Sequence, residues 1–106
     1  MNKQFIIKES EEIAKIVKVG KKSVSTFFII YYIESKNTFN QYCISVSKKI
    51  GKAHIRNKIK RRLKDILMKN RIDLNRKYVI IIRKEAINAS YEELKEILIK
   101  QVKGEK

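Results

Sequence analysis

The spacing of apolar positions changes several times along the chain, and the first regular segment has helical spacing. Ile13, Ile16 and Val17 recur as one face of a helix requires. Ser10 precedes them as a candidate N-cap, and Gly20 follows them as a residue that can end a helix in the left-handed conformation. The pattern therefore predicts a short first helix between these two residues.

Two segments after this helix have the composition of strands. Residues 27–33 are rich in β-branched and aromatic side chains, and residues 42–47 alternate with period two. Because the polar turn 34–37 follows the first segment, we expect the pair to form an antiparallel hairpin. Residues 21–25 are expected to add a short edge strand before it.

Helix and strand signals also alternate in the second half of the chain. A long basic helix is predicted over residues 52–70, and residues 78–82 are apolar at every position, as in a strand that is covered on both faces. A capping-box pattern at 90–93 precedes a last helix. The order helix, two or three strands, helix, strand, helix predicts an α+β sandwich, a single domain spanning residues 1–106.

The basic helix combines charge with amphipathicity. Residues 48–64 hold nine Lys and Arg side chains and no acid. At 100° per residue the apolar side chains fall on one stripe, so the opposite face carries a row of donors suited to phosphates. The apolar stripe is Ile55, Ile59, Leu63, Ile66 and Leu67, and the opposite face is Asn57, Lys60, Arg61 and Lys64.

The whole composition favours a nucleic-acid partner. Twenty-six Lys and Arg against eleven Asp and Glu give a net charge of +15 over 106 residues. A membrane surface is the electrostatic alternative, but it requires large apolar side chains beside the cations, and the free face of the basic helix is polar. No segment has the length of a membrane span, so we expect a cytoplasmic protein without a membrane partner.

Catalytic and metal-binding constellations are absent from the sequence. Cys43 and His54 are the only residues of their types, which excludes a disulfide framework or a zinc site and favours a reducing cytosol. The acids are dispersed, so no paired carboxylates are available to hold a metal and activate water. We predict no catalytic residue and no metal site on this polypeptide, and no obligate protein partner is evident. We interpret His54 as a flank of the basic face and Cys43 as a small packed residue.

Residues 45–63 resemble the signature of a known family. They read Ser-Val-Ser-Lys-Lys-Ile-Gly-Lys-Ala-His-Ile-Arg-Asn-Lys-Ile-Lys-Arg-Arg-Leu. The signature of the bacterial ribonuclease P protein subunit is similar: a serine-lysine-lysine strand end, a Gly-x-Ala turn and then Arg-Asn-Arg-x-Lys-Arg on a helix. The other predicted elements occur in that family in the same order, so the resemblance extends over nearly the whole chain.

The resemblance implies a fold and a function. It implies a ribosomal-protein-S5-domain-2-like fold with a left-handed crossover, against the usual right-handed preference. It further implies a subunit that binds the catalytic RNA of ribonuclease P and the 5′ leader of precursor tRNA, and that assists endonucleolytic removal of the leader. The chemistry is then performed by RNA with Mg²⁺, and the polypeptide is an accessory subunit. A ribosomal protein or a general nucleic-acid-binding module is the alternative.

Matching positions imply the site residues, with two departures from the family pattern. Lys58 replaces the second arginine of the motif and lacks its bidentate geometry. Ile13 and Val17 replace phenylalanines, so leader binding is expected to depend more on Tyr31, which matches a cleft aromatic. Phe27 has the same strand parity as Tyr31, so the two side chains are expected on one face of the strand, although either ring could belong to the core. The RNA-binding set is Lys48, Lys49, Lys52, Arg56, Asn57, Lys58, Lys60, Arg61 and Lys64, and the leader-binding set is Tyr31, Phe27, Ile13, Val17, Arg56 and Asn57.

Overall fold

Three α-helices and four strands make up most of the fold. The computed structural model describes residues 3–72 and 74–104. The predicted α+β class, the element order and the short first strand are confirmed. The helices are α1 (Ser10–Val19), α2 (Ala53–Lys69) and α3 (Tyr91–Lys103), the strands are β1 (Lys21–Val24), β2 (Phe28–Glu34), β3 (Gln41–Val46) and β4 (Arg76–Ile82), and short 3₁₀ turns lie at Lys3–Phe5, Lys48–Ile50 and Lys84–Asn88.

The strands form one sheet in the order β1-β2-β4-β3. Strand β4 lies between β2 and β3, antiparallel to the first and parallel to the second. The predicted hairpin of β2 with β3 is therefore wrong. The physical reason is the apolar content of β4, whose side chains are best buried when the strand has a neighbour on each edge and cover on both faces. Helix α2 makes the crossover between the parallel strands β3 and β4, and the handedness of this crossover stays a prediction.

The two faces of the sheet bury different amounts of apolar surface. One face packs against α2 and α3, and we call it the helical face. Phe28, Ile30, Tyr78 and Ile80 point to it and are fully buried. The opposite face is crossed by α1, and we call it the α1 face. Its buried cluster consists of Ile7, Ile16 and Val79.

Both ends of α1 differ from the prediction. Ser10 is the first helical residue, and Glu9 takes the N-cap position because its carbonyl oxygen accepts a hydrogen bond from Ile13 N at 3.1 Å. Gly20 is extended, with φ −73°, and is not left-handed. A Cβ atom at Gly20 would overlap with the carbonyl oxygen of Ile16 and would lie 2.8 Å from that of Tyr32. Glycine is therefore needed here because the chain passes closely between the last turn of α1 and β2, and not because of a left-handed backbone.

The other predicted helix ends are confirmed. Lys52 and Asn70 are the N-cap and C-cap of α2. Helix α3 begins with a complete capping box, in which Ser90 Oγ accepts from Glu93 N at 3.1 Å and Ser90 N donates to Glu93 Oε1 at 3.0 Å. These local bonds satisfy backbone groups that a helix start leaves unpaired.

A buried asparagine fixes the loop between α2 and β4. Asn40 Oδ1 accepts hydrogen bonds from Leu74 N and Arg76 N, each at 3.0 Å. Its Nδ2 donates to the carbonyl oxygen of Ile72 and to the hydroxyl of Tyr42, the latter at 3.2 Å. The segment that follows α2 and the first residue of β4 are thereby tied to the start of β3.

Candidate nucleic-acid interface

The inner side of α2 anchors the helix to the sheet. Ile59, Leu63, Ile66 and Leu67 are buried in the core of the helical face, and Ile55 packs at its margin. The predicted apolar stripe is thus confirmed. Because the stripe fixes the rotation of α2 about its axis, the cations on the other side must face solvent.

Asp65, the one acidic residue of α2, takes part in a contact with α3. Tyr91 OH donates a hydrogen bond to Asp65 Oδ2 at 2.5 Å, and Lys69 Nζ lies 3.3 Å from the same oxygen. The hydrogen bond from Tyr91, supported by Lys69, holds the pKa of Asp65 below its ordinary value. Asp65 is therefore paired within this contact, and it does not neutralise the cations on the outer side of α2.

The outer side of α2 carries a cation row. A concavity of about 450 Å³ is lined by His54, Asn57, Lys60, Arg61 and Lys64. The structure therefore brings together the four residues predicted for this face and places His54 beside them, as expected. Because no acid lines this concavity, its electrostatic potential is positive and suits a polyanion.

The rest of the predicted RNA-binding set surrounds the N-terminal end of α2. Lys48 and Lys49 are exposed on the 3₁₀ turn that precedes the helix, and Lys52 and Lys58 are exposed as well. Arg56 is partly buried, and its buried Nε atom makes no hydrogen bond to any described residue. The structure therefore leaves this N–H without an acceptor in the described part of the chain, and the partly exposed side chain adds its charge to the N-terminal end of α2.

A second concavity joins α2 to the α1 face at the edge of β3. Lys60 and Lys64 line it from the helix, and Ile7 and Cys43 line it from the α1 face. Its volume is about 190 Å³. Burial raises the pKa of the Cys43 thiol, and the charge of Lys60 partly opposes that shift. Lys60 thus directs its charge over the strand edge, and the cation row and the α1 face form one continuous surface.

The predicted leader-binding residues divide between the two faces of the sheet. Ile13 and Tyr31 both pack against the cluster of the α1 face, so the structure brings them together. Val17 is 38% exposed on α1. Phe27 instead packs against the core of the helical face, with its ring edge-on to Phe28 at 6.2 Å. It precedes β2 and so escapes the alternation of the strand, and the structure does not bring it to Tyr31.

Helix α1 leaves one row of the sheet partly uncovered. Val24, Ile29, Ile81 and Ser45 are register partners across all four strands, and we call them the open row. Val24 is 57% exposed, Ser45 is exposed, and the two isoleucines are partly exposed. The open row is a shallow, mainly apolar strip beside α1 that reaches from one edge of the sheet to the other.

Sequence reasoning missed Lys22 and the isoleucines of the open row. Lys22 is the register partner of Tyr31, and its Nζ lies 5.7 Å from the centroid of the Tyr31 ring. The alternation of β2 could have placed Ile29 on the face of Tyr31, since the two residues are two positions apart. Ile81 and Lys22 had no such signal, because their position depends on which strands are neighbours.

Comparison with known proteins tests the resemblance of the basic signature. The profile of the family described as Ribonuclease P matches residues 1–104. The chain belongs to the ribonuclease P protein family. The ribonuclease P protein component of Mycoplasma capricolum is 36% identical over 107 residues, which cover 97% of each chain. That of Bacillus cereus is 37% identical over 102 residues, which cover 93% of this chain and 89% of the relative.

A solved structure supports the ribonuclease P fold. The structure is that of a Staphylococcus aureus RNase P protein mutant with defective mRNA degradation activity. It is similar to this chain with a TM-score of 0.86 at 27% identity, over 96% of this chain and 90% of the other. The resemblance and the fold class are therefore confirmed.

Membership of the ribonuclease P family defines the class of function. The chain is a protein subunit of ribonuclease P, an endoribonuclease complex of tRNA 5′ processing, and the RNA of that complex is its partner. Among the described residues, no helix is both long enough and apolar enough to cross a membrane.

Proposed function

We propose that this ribonuclease P protein binds the ribonuclease P RNA through the outer side of α2, and the 5′ leader of precursor tRNA through the uncovered part of the α1 face. The observation that carries the proposal is the concavity at the edge of β3, where Lys60 and Lys64 adjoin Ile7 and Cys43. Because no acid lines this passage, a single strand can continue from the cation row onto the α1 face without electrostatic repulsion.

The contact with the large RNA is mainly electrostatic in this proposal. Each cation of the row neutralises about one phosphate and releases its counterion. Arg56 and Asn57 lie at the N-terminal half of α2, where they are proposed to meet the leader near the cleavage site. The Arg56 guanidinium offers charge-assisted donors, and the Asn57 amide both donates and accepts.

The contact with the leader is mainly apolar. Tyr31 offers a phenol ring, and bases of any identity can stack on such a ring. Ile29 and Ile81 extend the surface along the open row, and Ile13 borders it from α1. Because stacking and apolar contact do not depend on the identity of the base, the protein binds leaders of differing sequence.

The bond-breaking step is assigned to RNA and its bound Mg²⁺, in the cytoplasm. Several acids of the described chain are engaged in ion pairs, among them Glu12 with Lys77, Glu34 with Arg76 and Asp65 with Lys69. Within residues 3–72 and 74–104, no three His, Cys, Asp or Glu side chains are grouped as metal ligands. We therefore assign no Mg²⁺ site to this part of the chain, and propose that the protein acts by binding and by neutralising charge.

Reconstitution with a bacterial ribonuclease P RNA at low Mg²⁺ tests this function. We expect the protein to accelerate 5′ cleavage of precursor tRNA and to cleave nothing in the absence of RNA. An unrelated basic protein of equal charge serves as the control. Equal acceleration by that control, or binding that is indifferent to RNA structure, would favour a general nucleic-acid-binding module instead.

A double variant tests the cation row itself. Lys60→Ala with Arg61→Ala should weaken binding of the ribonuclease P RNA and lower the slope of log K against log salt by roughly 0.7 to 0.9 per lost contact. The fold should persist, because neither residue belongs to the buried stripe. Lys95→Ala with Lys103→Ala on α3 removes the same charge elsewhere. Equal slopes for the two double variants would show that net charge alone controls binding.

A further inference from the structure

A groove between β1 and α3 adjoins the α1 face at Val24, which also belongs to the open row, and otherwise lies outside the surfaces assigned above. Its volume is about 510 Å³, and ligand pockets commonly measure about 300 to 1,000 Å³. Lys22 and Val24 line it from β1, Ile97 and Lys100 line it from α3, and Tyr32 lines it from β2. The groove is therefore large enough for a nucleotide-sized group.

A buried amide holds the two walls of the groove together. Gln101 of α3 is 5% exposed. Its Oε1 accepts a hydrogen bond from Ser25 Oγ at 2.7 Å, and its Nε2 donates to Ser23 Oγ at 3.1 Å. Because these bonds connect α3 directly to β1 and the turn that follows, the groove is preformed and a ligand need not order its walls.

The chemistry of the lining suits a group with an apolar part and a negative charge. Val24, Ile97 and the ring of Tyr32 supply apolar surface, while Lys22 and Lys100 supply ammonium groups. No acid lines the groove. Glu96 lies 3.5 Å from Lys100, but both side chains are more than half exposed, so this ion pair is weak and easily exchanged for a phosphate.

Lys22 connects the groove to the α1 face. It is the register partner of Tyr31, its Nζ lies 5.7 Å from that ring, and it also lines the groove. Strand β1 is the edge of the sheet, so no further strand separates the two surfaces. A single strand that stacks on Tyr31 can therefore turn around β1 and enter the groove with Lys22 beside it throughout.

We propose that the β1–α3 groove holds distal nucleotides of the 5′ leader, upstream of those that contact Tyr31. Bases lie against Val24, Ile97 and Tyr32, and phosphates meet Lys22 and Lys100. The inference rests on the proposed binding of the leader by the α1 face. The groove would add a second contact with single-stranded RNA, one that only longer leaders can reach.

The proposed role of the groove is tested by combining the charge reversal Lys100→Glu with leaders of different length. Holoenzyme is reconstituted with Lys100→Glu, and its affinity is measured for mature tRNA, for precursor with a leader that ends at Tyr31, and for precursor with a leader several nucleotides longer. We expect the longer leader to bind about fivefold more weakly, since a phosphate contact becomes a repulsion, with the other two affinities unchanged. Lys95→Glu, the same charge change on another side of α3, should leave all three unchanged.

Crosslinking supplies a readout that is independent of affinity. Ile97→Cys in a Cys43→Ala background, labelled with a photoreactive group, places that group on the α3 wall of the groove and outside the open row, and we expect it to crosslink to distal leader nucleotides. Absence of distal labelling, or equal effects of Lys100→Glu on short and long leaders, would overturn the groove proposal. If Tyr31→Ala also leaves leader affinity unchanged, the proposed function of the α1 face fails as well; if Tyr31→Ala weakens it, only the groove fails.

Discussion

The two faces of the sheet are covered to different extents, and the difference separates stability from binding. Two helices cover the helical face, where Leu63, Leu94 and Leu98 are fully buried around Tyr78 and Ile80. One helix of ten residues crosses the α1 face and leaves the open row partly exposed. A side chain that is buried on folding stabilises the protein, whereas one left half-exposed retains apolar surface for a ligand.

The same comparison explains why the aromatic residues of β2 have different roles. Tyr32 faces the helical side, where the centroid of its ring lies 5.6 Å from that of Tyr78. The guanidinium carbon of Arg76 lies over the Tyr32 ring, 4.6 Å from its centroid. Tyr31 faces the α1 side, where the Nζ atom of Lys22 lies over its ring. Tyr32 thus lies on the helical side, against Tyr78 and at the wall of the β1–α3 groove, and Tyr31 is the tyrosine of β2 on the α1 face.

The largest effect is expected from a cavity on the helical face. Leu63→Ala removes a fully buried side chain and should lower the free energy of unfolding by about 2 to 5 kcal/mol. Ile29→Ala in the open row should cost about 1 kcal/mol, because that side chain is partly exposed already. Urea unfolding followed by circular dichroism measures both. Equal losses would mean that the two faces are packed alike.

A pair of aromatic variants sharpens the comparison for binding. Tyr31→Ala should weaken the affinity of the holoenzyme for precursor tRNA with a leader of several nucleotides by about 1 to 3 kcal/mol, in the upper half of that range because Ile13 and Val17 offer no ring. Mature tRNA and assembly with the RNA should be unaffected.

Phe27→Ala is the matched control, because its ring packs on the helical face. It should destabilise the fold and leave the ratio of precursor to mature tRNA affinity unchanged. A selective loss of precursor binding in Phe27→Ala, with none in Tyr31→Ala, would reverse the assignment of the faces.

The smallest effect concerns alkaline pH. Burial raises the pKa of Tyr78 from 10.0 to about 12. A raised pKa in the folded state means that this group stabilises the fold fully below pH 10, and that its contribution is lost as the pH rises toward 12. Tyr78→Phe should reduce the fall in the free energy of unfolding between pH 10 and pH 12. At neutral pH it should cost about 0.5 to 1.5 kcal/mol, through loss of the hydrogen bond from the Tyr78 hydroxyl to the carbonyl oxygen of Val102. An unchanged alkaline slope in urea unfolding would show that another group titrates there.

Local signals in the sequence determined the helices and the charged surface of this protein. The stripe that contains Ile59 and Leu63 predicted which side of α2 is buried, since the helical period depends only on the backbone. The capping box of Ser90 and Glu93 likewise involves residues three positions apart. The family signature lies in the same continuous segment, so the class of partner was also predictable.

The tertiary structure alone decided the strand neighbours and everything that depends on them. Gly20 was predicted as a left-handed helix end, but it is extended, and its role is to let the chain pass closely between Ile16 of α1 and Tyr32 of β2. Strand β4, rather than β3, pairs with β2, because its apolar side chains are buried best in the middle of the sheet. This strand order places Ile81 beside Ile29. It also separates β2 from the concavity at the edge of β3 that Lys60 lines. Such contacts join residues far apart in the chain, and burial of the whole core selects them rather than any local spacing.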